Sequence, residues 1–467
     1  MSREKQPKIS PATEAAPAAG AEISAAEAAP AAQVAPAAPH RDIGLKRRYR
    51  AEKRFRFYGI AAVSFGLFFL AFLLYSVFSQ GIGSFRQTTI TVPVAWDAQL
   101  IDPQHRLAAN PQLMEDAHFL AQVDYSRLLS SALAQRLGVS PEDLPAMKAL
   151  MRLVSPSARG AMRRFLGHNP QVIGTIAPVT LLASAEADAA YKGLIDFSGP
   201  ESERRISDRQ KHWLDQLAAD GMLHKSFNIG LFTRAASAYA ESSGLAAALL
   251  GSFYMMAVVV LLALPLGVAA AVYLEEYAHK NRWTDLIEIN INNLAAVPSI
   301  VFGILGLAVF INFFGLPRSA SLVGGLVLTL MTLPTIIIAA RSALQAVPSS
   351  IRAAALGLGA SKTQAVFHFV LPQAAPGILT GAIIGLARAL GETAPLLLIG
   401  MVAFVANYPA TPLAPATALP VQIYMWAGEA ERSFEARSSA AIIVLLAFLA
   451  LMNVAAVFLR RYFERRR

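Results

Sequence analysis

A chain of 467 residues with 55% hydrophobic and only 15% charged residues is poorly suited to water, where a soluble domain usually carries about 25% charged residues. The formal net charge is +10, but the cations sit in blocks beside apolar runs, a pattern of membrane orientation and not of nucleic-acid binding. The absence of cysteine excludes disulfides, thiolate metal sites and cysteine nucleophiles.

Residues 1–40 are Ala/Pro-rich ("ATEAAPAAGAEISAAEAAPAAQVAPAAP") and hold almost no large apolar side chain, so a disordered tail is expected. No apolar stretch of signal-peptide type follows the start, and a cleaved leader is not expected. The basic segment 41–56, "RDIGLKRRYRAEKRFR", directly precedes an apolar span and is expected to hold the N-terminus in the cytoplasm. That first span, 57–79, is free of charge and matches the ~20 residues a bilayer requires.

Charges return throughout 80–243. "TTITVPVAW" alternates as a strand does, and "LMEDAHFLAQVDYSRLLSSALAQRL" carries a helical period. One α+β domain is expected here. His105, His118, His168, His212 and His224 lack ligand spacing, so neither a metal site nor a catalytic constellation is expected.

Five more apolar spans follow, near 245–274, 289–314, 321–340, 373–405 and 439–459, before the basic tail 461–467. The expected fold is an all-α polytopic membrane protein with six transmembrane helices, plus an α+β soluble domain between the first and second; 244–460 forms the membrane core. The cation asymmetry puts both termini and the segment 341–372 in the cytoplasm and 80–243 outside. Glu275 and Glu276 are expected to reach headgroups, and Asn290, Asn292 and Asn293 to cap the entry of the third span. Pro298 and Gly303 suit a kink and close packing, and Thr329 and Thr332 suit bonds to their own helix.

The connector 347–372 has internal structure. Pro348 can open a helix, with Ser349 and Ser350 as caps. Gly357 and Gly359 loosen the chain, and Ser361 and Gln364 have capping-box spacing for a second short helix. That helix carries Val366, Phe367, Phe369 and Val370, and Pro372 is expected to close it. Exposed apolar residues in so long a loop call for a partner. "GLGASKT" is not a phosphate-binding loop, since Ser361 stands where that motif needs glycine and no strand precedes it. The chain is therefore expected to be no enzyme and to bind no cofactor itself; if ATP drives it, ATP and Mg are expected on a separate subunit.

"RAAALGLGASKTQAVFHFVLP" resembles the coupling loop of permease subunits in ATP-binding-cassette importers. The matching positions are Ala353, Ala354, Ala355, Gly359, Phe369, Leu371 and Pro372, and Ala353 departs from the glutamate usual in that family. "NNLAAVPSIVFGILGL", "TLPTIIIAARSALQAVP" and "LARALGETAPLLLIG" are similar to the A-type permease of phosphate-specific importers, in a long form with an extra outward domain. The resemblance spans about 245–460. It implies a type I importer permease fold in the inner membrane and transport of inorganic phosphate. It also implies three partners: an ATP-binding subunit dimer, a second homologous permease and a periplasmic phosphate-binding protein. No nucleic-acid partner is expected. Sulfate or molybdate transport, a non-transporting receptor or scaffold, and a secondary transporter remain as alternatives.

Arg388 and Glu392 lie inside the fifth expected span, each costing about 2.5 to 3.5 kcal/mol at a helix centre. Four apart, they can pair. Gly391, Thr393 and Pro395 suit a helix break lining a cavity. Two readings stay open: a buried pair that fixes packing, or a pathway lined by Arg388, Glu392 and Thr393 in which the guanidinium reads a tetrahedral oxyanion and Glu392 moderates that attraction, relays a proton or holds the arginine.

Overall fold

The computed structural model describes residues 45–465; the tail 1–40 lies outside the described residues. The chain divides into units at 1–67 and 68–467. Helix α1 (Leu45–Gly81) continues through the basic segment as well as the apolar span, because Lys, Arg, Glu and Ala are all good helix formers. Phe57, Val63, Phe65 and Leu67 are exposed along it, as suits a lipid-facing helix.

The soluble domain is built on strand β1 (Arg86–Ala95), whose residues alternate between buried and exposed as its sequence does. Ile90, Val92 and Val94 point into the core. Helices α2 (Tyr125–Leu137) and α3 (Ala158–His168) precede β2 (Ile176–Leu182), and α4 (Asp208–Ala219) precedes β3 (Leu223–Phe227). The sheet has the order β2-β1-β3, both pairs antiparallel, with Val92 opposite Val179 and Thr89 opposite His224. Trp96, Leu128, Leu133, Leu150, Met162, Leu166 and Trp213 fill the core. The helical period expected across 113–137 is cut into short pieces. Asp116 accepts from the His118 N–H and Asp124 from the Arg127 N–H, so each aspartate caps a new start.

The membrane core comprises α5 (Ala246–Val272), α6 (Arg282–Ala295), α7 (Ser299–Gly306), α8 (Ser321–Gln345), α9 (Ser349–Gly357), α10 (Leu371–Gly391), α11 (Ala394–Leu398), α12 (Leu419–Ala427) and α13 (Ser433–Arg465). Among the described residues five helices are long and apolar enough to cross a bilayer, at 48–85, 246–277, 321–345, 362–391 and 433–458. The third expected span, 289–314, is not a straight helix. It is a pair, 282–295 and 299–313, bent by 100°. Pro298 sits at the bend, where it lacks a donor and disfavours helix at the residue before it. The fifth expected span is also shorter than read: its helix stops at Gly391 instead of running to 405.

Helix α8 is the central post. Its spanning window is 61% buried, more than any other, and it packs against α5 and α10. Small residues permit this: a Cβ on Gly381 of α10 would lie 2.1 Å from Ala339 Cβ of α8. Thr329 and Thr332 donate to Gly325 O and Leu328 O at 2.7 and 2.8 Å, as expected. At the end nearest the soluble domain, Leu231, Ala240, Leu245, Leu419, Trp426 and Ala440 form a joint apolar cluster. The short helix α12 in that cluster was not foreseen from the sequence.

Candidate functional site: the connector and the helix break

The connector is fixed from beneath. Arg352 of α9 donates to Glu276 through Nε (3.0 Å) and Nη2 (2.7 Å), to Leu344 O through Nη2 (2.9 Å) and to Val347 O through Nη1 (2.7 Å). One side chain thus satisfies the carboxyl end of α8 and ties α9 to the end of the second span. Ser349 and Ser350 do not cap α9, contrary to expectation. Arg341 pairs with Glu288 at 2.7 Å and Glu275 at 3.7 Å, and Gln345 donates to Glu275 at 2.9 Å. Glu275 and Glu276 therefore face protein cations and not lipid headgroups. The charge-assisted bonds to these guanidinium groups offset the cost of burying the carboxylates. Asn290 likewise donates to Leu286 O within its own helix, while Asn281, outside the expected set, caps α6 by accepting from the Trp283 and Thr284 N–H groups.

Beyond α9, Gly359 has φ +84°, a left-handed turn that side chains rarely adopt. The Ser361–Gln364 capping box forms as read. Pro372 does not close the second short helix. The helix continues through a wider π turn at 366–370 into α10, and a π turn already gives up the α-type bond that proline lacks. Val366 and Val370 are buried, while Phe367 and Phe369 stay exposed. On α9, Ala355 faces inward and Ala353 and Ala354 outward; Leu358 at the bend is 87% exposed. Leu371 is half-buried and Pro372 exposed. The outer face of the connector thus presents Ala353, Ala354, Leu358, Phe367 and Phe369, with polar residues from Ser361 to Gln364 between them, on a base tied down by Arg352.

The second location is the break after α10. Arg388 occupies its last turn, where a cation suits the helix carboxyl end. Glu392 is already non-helical, with φ −77° and ψ 126°, so the two residues do not share a continuous helix as read. They still approach, Arg388 Nε to Glu392 Oε1 at 3.6 Å, too far for a hydrogen bond. The Arg388 side chain is 53% exposed and that of Glu392 19%. Thr393 caps nothing with its side chain; its carbonyl accepts from the Leu396 and Leu397 N–H groups at 3.1 Å. Gly391 is exposed with open space around it. Pro395 is buried in the first turn of α11, where its missing donor costs nothing. A Cβ on Gly303 would stand 2.7 Å from Pro395 Cα, so α7 and α11 meet backbone to backbone. Gly303 and Pro395 thereby join two broken spans, whose breaks lie at Pro298 and after Gly391, with Arg388 and Glu392 beside the second break.

Residues 263–467 match the family described as "Binding-protein-dependent transport system inner membrane component", and residues 42–201 match "Domain of unknown function (DUF3333)". Phosphate transport system permease protein PstA 1 of Mycobacterium tuberculosis is 33% identical over 233 residues, 48% of this chain and 73% of the relative. The chain belongs to the PstA permease family. PstA of Xylella fastidiosa (strain Temecula1) is 30% identical over 230 residues, 49% of this chain and 79% of that protein. The probable ABC transporter permease YqgI of Bacillus subtilis is 37% identical over 179 residues, covering 38% of this chain and 60% of the relative. A chain of the MetNI methionine ABC transporter aligns at 18% identity with a TM-score of 0.36, covering 47% of this chain and 94% of that one. The PstA fold, an importer permease of multi-pass helices in the inner membrane, thus carries here a small three-stranded domain whose β3 lies beyond the DUF3333 match.

Proposed function

We propose that this chain is one permease subunit of an ATP-driven importer that carries inorganic phosphate across the cytoplasmic membrane. The observation that carries the coupling half of this reading is the Arg352–Glu276 anchor beneath an exposed apolar connector. A docking loop must transmit force, and a loop tied to two spans can do so. The connector would then face the cytoplasm and receive one of a pair of ATP-binding subunits. A second, homologous permease would cover the exposed Arg388 face, and a periplasmic phosphate-binding protein would deliver the anion from the side of 80–243. No ATP site is assigned to this chain.

The names of the relatives support phosphate, and the loose, half-exposed Arg388 supports an oxyanion. A guanidinium held in a tight buried pair has its donors spent; one 3.6 Å from its carboxylate keeps them for a ligand. Vesicles reconstituted with the whole complex test this. Arg388→Ala is expected to abolish ATP-dependent phosphate uptake without loss of assembly. Arg388→Lys stays impaired, because a point charge lacks the planar fork, and Glu392→Gln is milder. An Arg388→Met/Glu392→Leu double variant that transports like the parent would show that the pair only fixes packing. Uptake of sulfate in place of phosphate would move the chain to another oxyanion.

A further inference from the structure

A second cluster of cationic donors lies away from the helix break, on the side of the soluble domain. Between α3, the segment that joins β3 to α5, and the loop after α11 there is an open cavity of roughly 780 Å³. Arg164 of α3 and Arg234 of the joining segment line it, together with Ser157, Ser237, Asn407 and Tyr408. No aspartate or glutamate contributes to its wall. Among the described residues neither arginine makes an ion pair, and the two face the same cavity. Two like charges facing one cavity without a carboxylate repel each other, and an anion between them removes that cost.

Arg234 is built into position. Its backbone N–H donates to Gly230 O at 2.9 Å, and its carbonyl accepts from the Ala246 N–H at 3.0 Å. A Cβ on Gly230 would stand 2.6 Å from the guanidinium carbon, so the Arg234 head packs directly over this glycine. Tyr408 donates its hydroxyl to Thr233 O, and the Ala236 N–H donates to Val405 O at 3.2 Å, which hold the loop wall against this segment. Nη1 of Arg234 is buried with no hydrogen-bond partner. Burial first, then the Arg164 charge, hold the Arg234 pKa below the ordinary guanidinium value. An orphaned buried donor is costly, and it packs against Gly230 while the residue itself lines the cavity.

We propose that Arg164 and Arg234 form an outward binding site for a phosphate-type tetrahedral oxyanion, with Ser157, Ser237 and Asn407 as neutral donors around it. Guanidinium forks recognise such oxygens bidentately, and hydroxyl and amide donors complete the shell without adding charge. The choice of phosphate within the oxyanion class rests on the function proposed above; the site itself does not. Placed at the domain–core junction, it would hold the anion before it enters the membrane pathway. The same chemistry is carried by a free inorganic anion and by an anionic lipid headgroup.

Equilibrium dialysis of radiolabelled inorganic phosphate against the lipid-depleted complex, in an Arg388→Ala background, isolates this site from the helix break. Arg234→Gln and the surface change Arg164→Gln are each expected to weaken binding at least tenfold. Arg164→Gln guards against a misfolded Arg234 variant. In a second arm, mass spectrometry counts phosphatidylglycerol retained by the complex. Retention lost with Arg234→Gln, without phosphate binding in the first arm, would assign the site to lipid headgroups. Phosphate binding and lipid retention both unchanged in the two variants would overturn the proposal. Uptake of a different solute with arginine-dependent phosphate binding intact would defeat the transport reading and leave this site standing.

Discussion

Replacing Arg352 with methionine removes four hydrogen bonds and keeps most of the side-chain volume. Its partner Glu276 is 8% exposed, and Arg352 itself is 25% exposed. Breaking a buried pair by deleting one member costs about 3 to 5 kcal/mol, because the remaining charge is left without compensation. Arg352 is partly open to solvent, so the low end applies, about 3 kcal/mol. The Leu344 and Val347 carbonyls can turn to water and add little. If that loss falls on local opening of the connector, about 3 kcal/mol is roughly a 150-fold rise in the open population at 1.36 kcal/mol per tenfold. Hydrogen exchange of peptides covering 349–361 in the intact complex reads this directly. Glu276→Gln should raise exchange less, because Arg352 keeps both carbonyls. Alongside, the number of anions moved per ATP is expected to fall in Arg352→Met while the ATPase subunits stay bound. Parent-like exchange over 349–361 in Arg352→Met would refute the anchor, since the connector would then be held by its apolar contacts alone.

Gly359→Pro forces φ from +84° to near −65° and removes the N–H that donates to Leu356 O at 3.0 Å; with Ala354→Trp on the outward face it is expected to uncouple ATP hydrolysis from uptake with insertion intact, and normal uptake in both would remove the docking assignment. Glu241, at the domain–core junction, has its pKa raised by burial against the opposing Ser155 hydrogen bond, so the folded state holds its proton more tightly than the unfolded one. Its contribution is therefore full below the ordinary carboxylate value near 4.3 and is lost as pH rises through the raised value. The melting temperature of Glu241→Gln should gain on the parent as pH goes from about 4 upward, and a constant difference would count against this. A cysteine at exposed Ser198 in this cysteine-free chain should react with an impermeant maleimide only from outside; labelling only from the cytoplasmic side would invert the proposed topology.

The readings that came through did so where one local cause sufficed. Ile90, Val92 and Val94 alternate because a half-buried strand has period two, and Ser361 with Gln364 closes a cap three residues long. The apolar spans were legible because lipid demands length and composition together. The failures came where two distant segments share one cause. Pro298 was visible as a kink, but a 100° bend needs Gly303 to accept Pro395 from a span ninety residues on, and no window of sequence contains both. Glu275 and Glu276 looked like span-end acids because their partners, Arg341 and Arg352, lie in the fourth span and the connector. Pro372 read as a stop because proline usually is one, and only the π turn before it makes it a passage. Arg352 lay within the segment 341–372 assigned to the cytoplasm without a role of its own, yet a clue was present: an arginine shortly after a helix-ending proline can fold back onto the last carbonyls of the helix it follows. The same limit separates the one arginine of the helix break from the two that line the cavity beside the soluble domain. Arg388 stood out because charge in an apolar run is costly wherever it folds. Arg164 and Arg234 sit among other charges, seventy residues apart, and only the fold strips carboxylates from around them. A charge is thus readable from sequence when its solvent is fixed by its own neighbours, and unreadable when its solvent is another part of the chain.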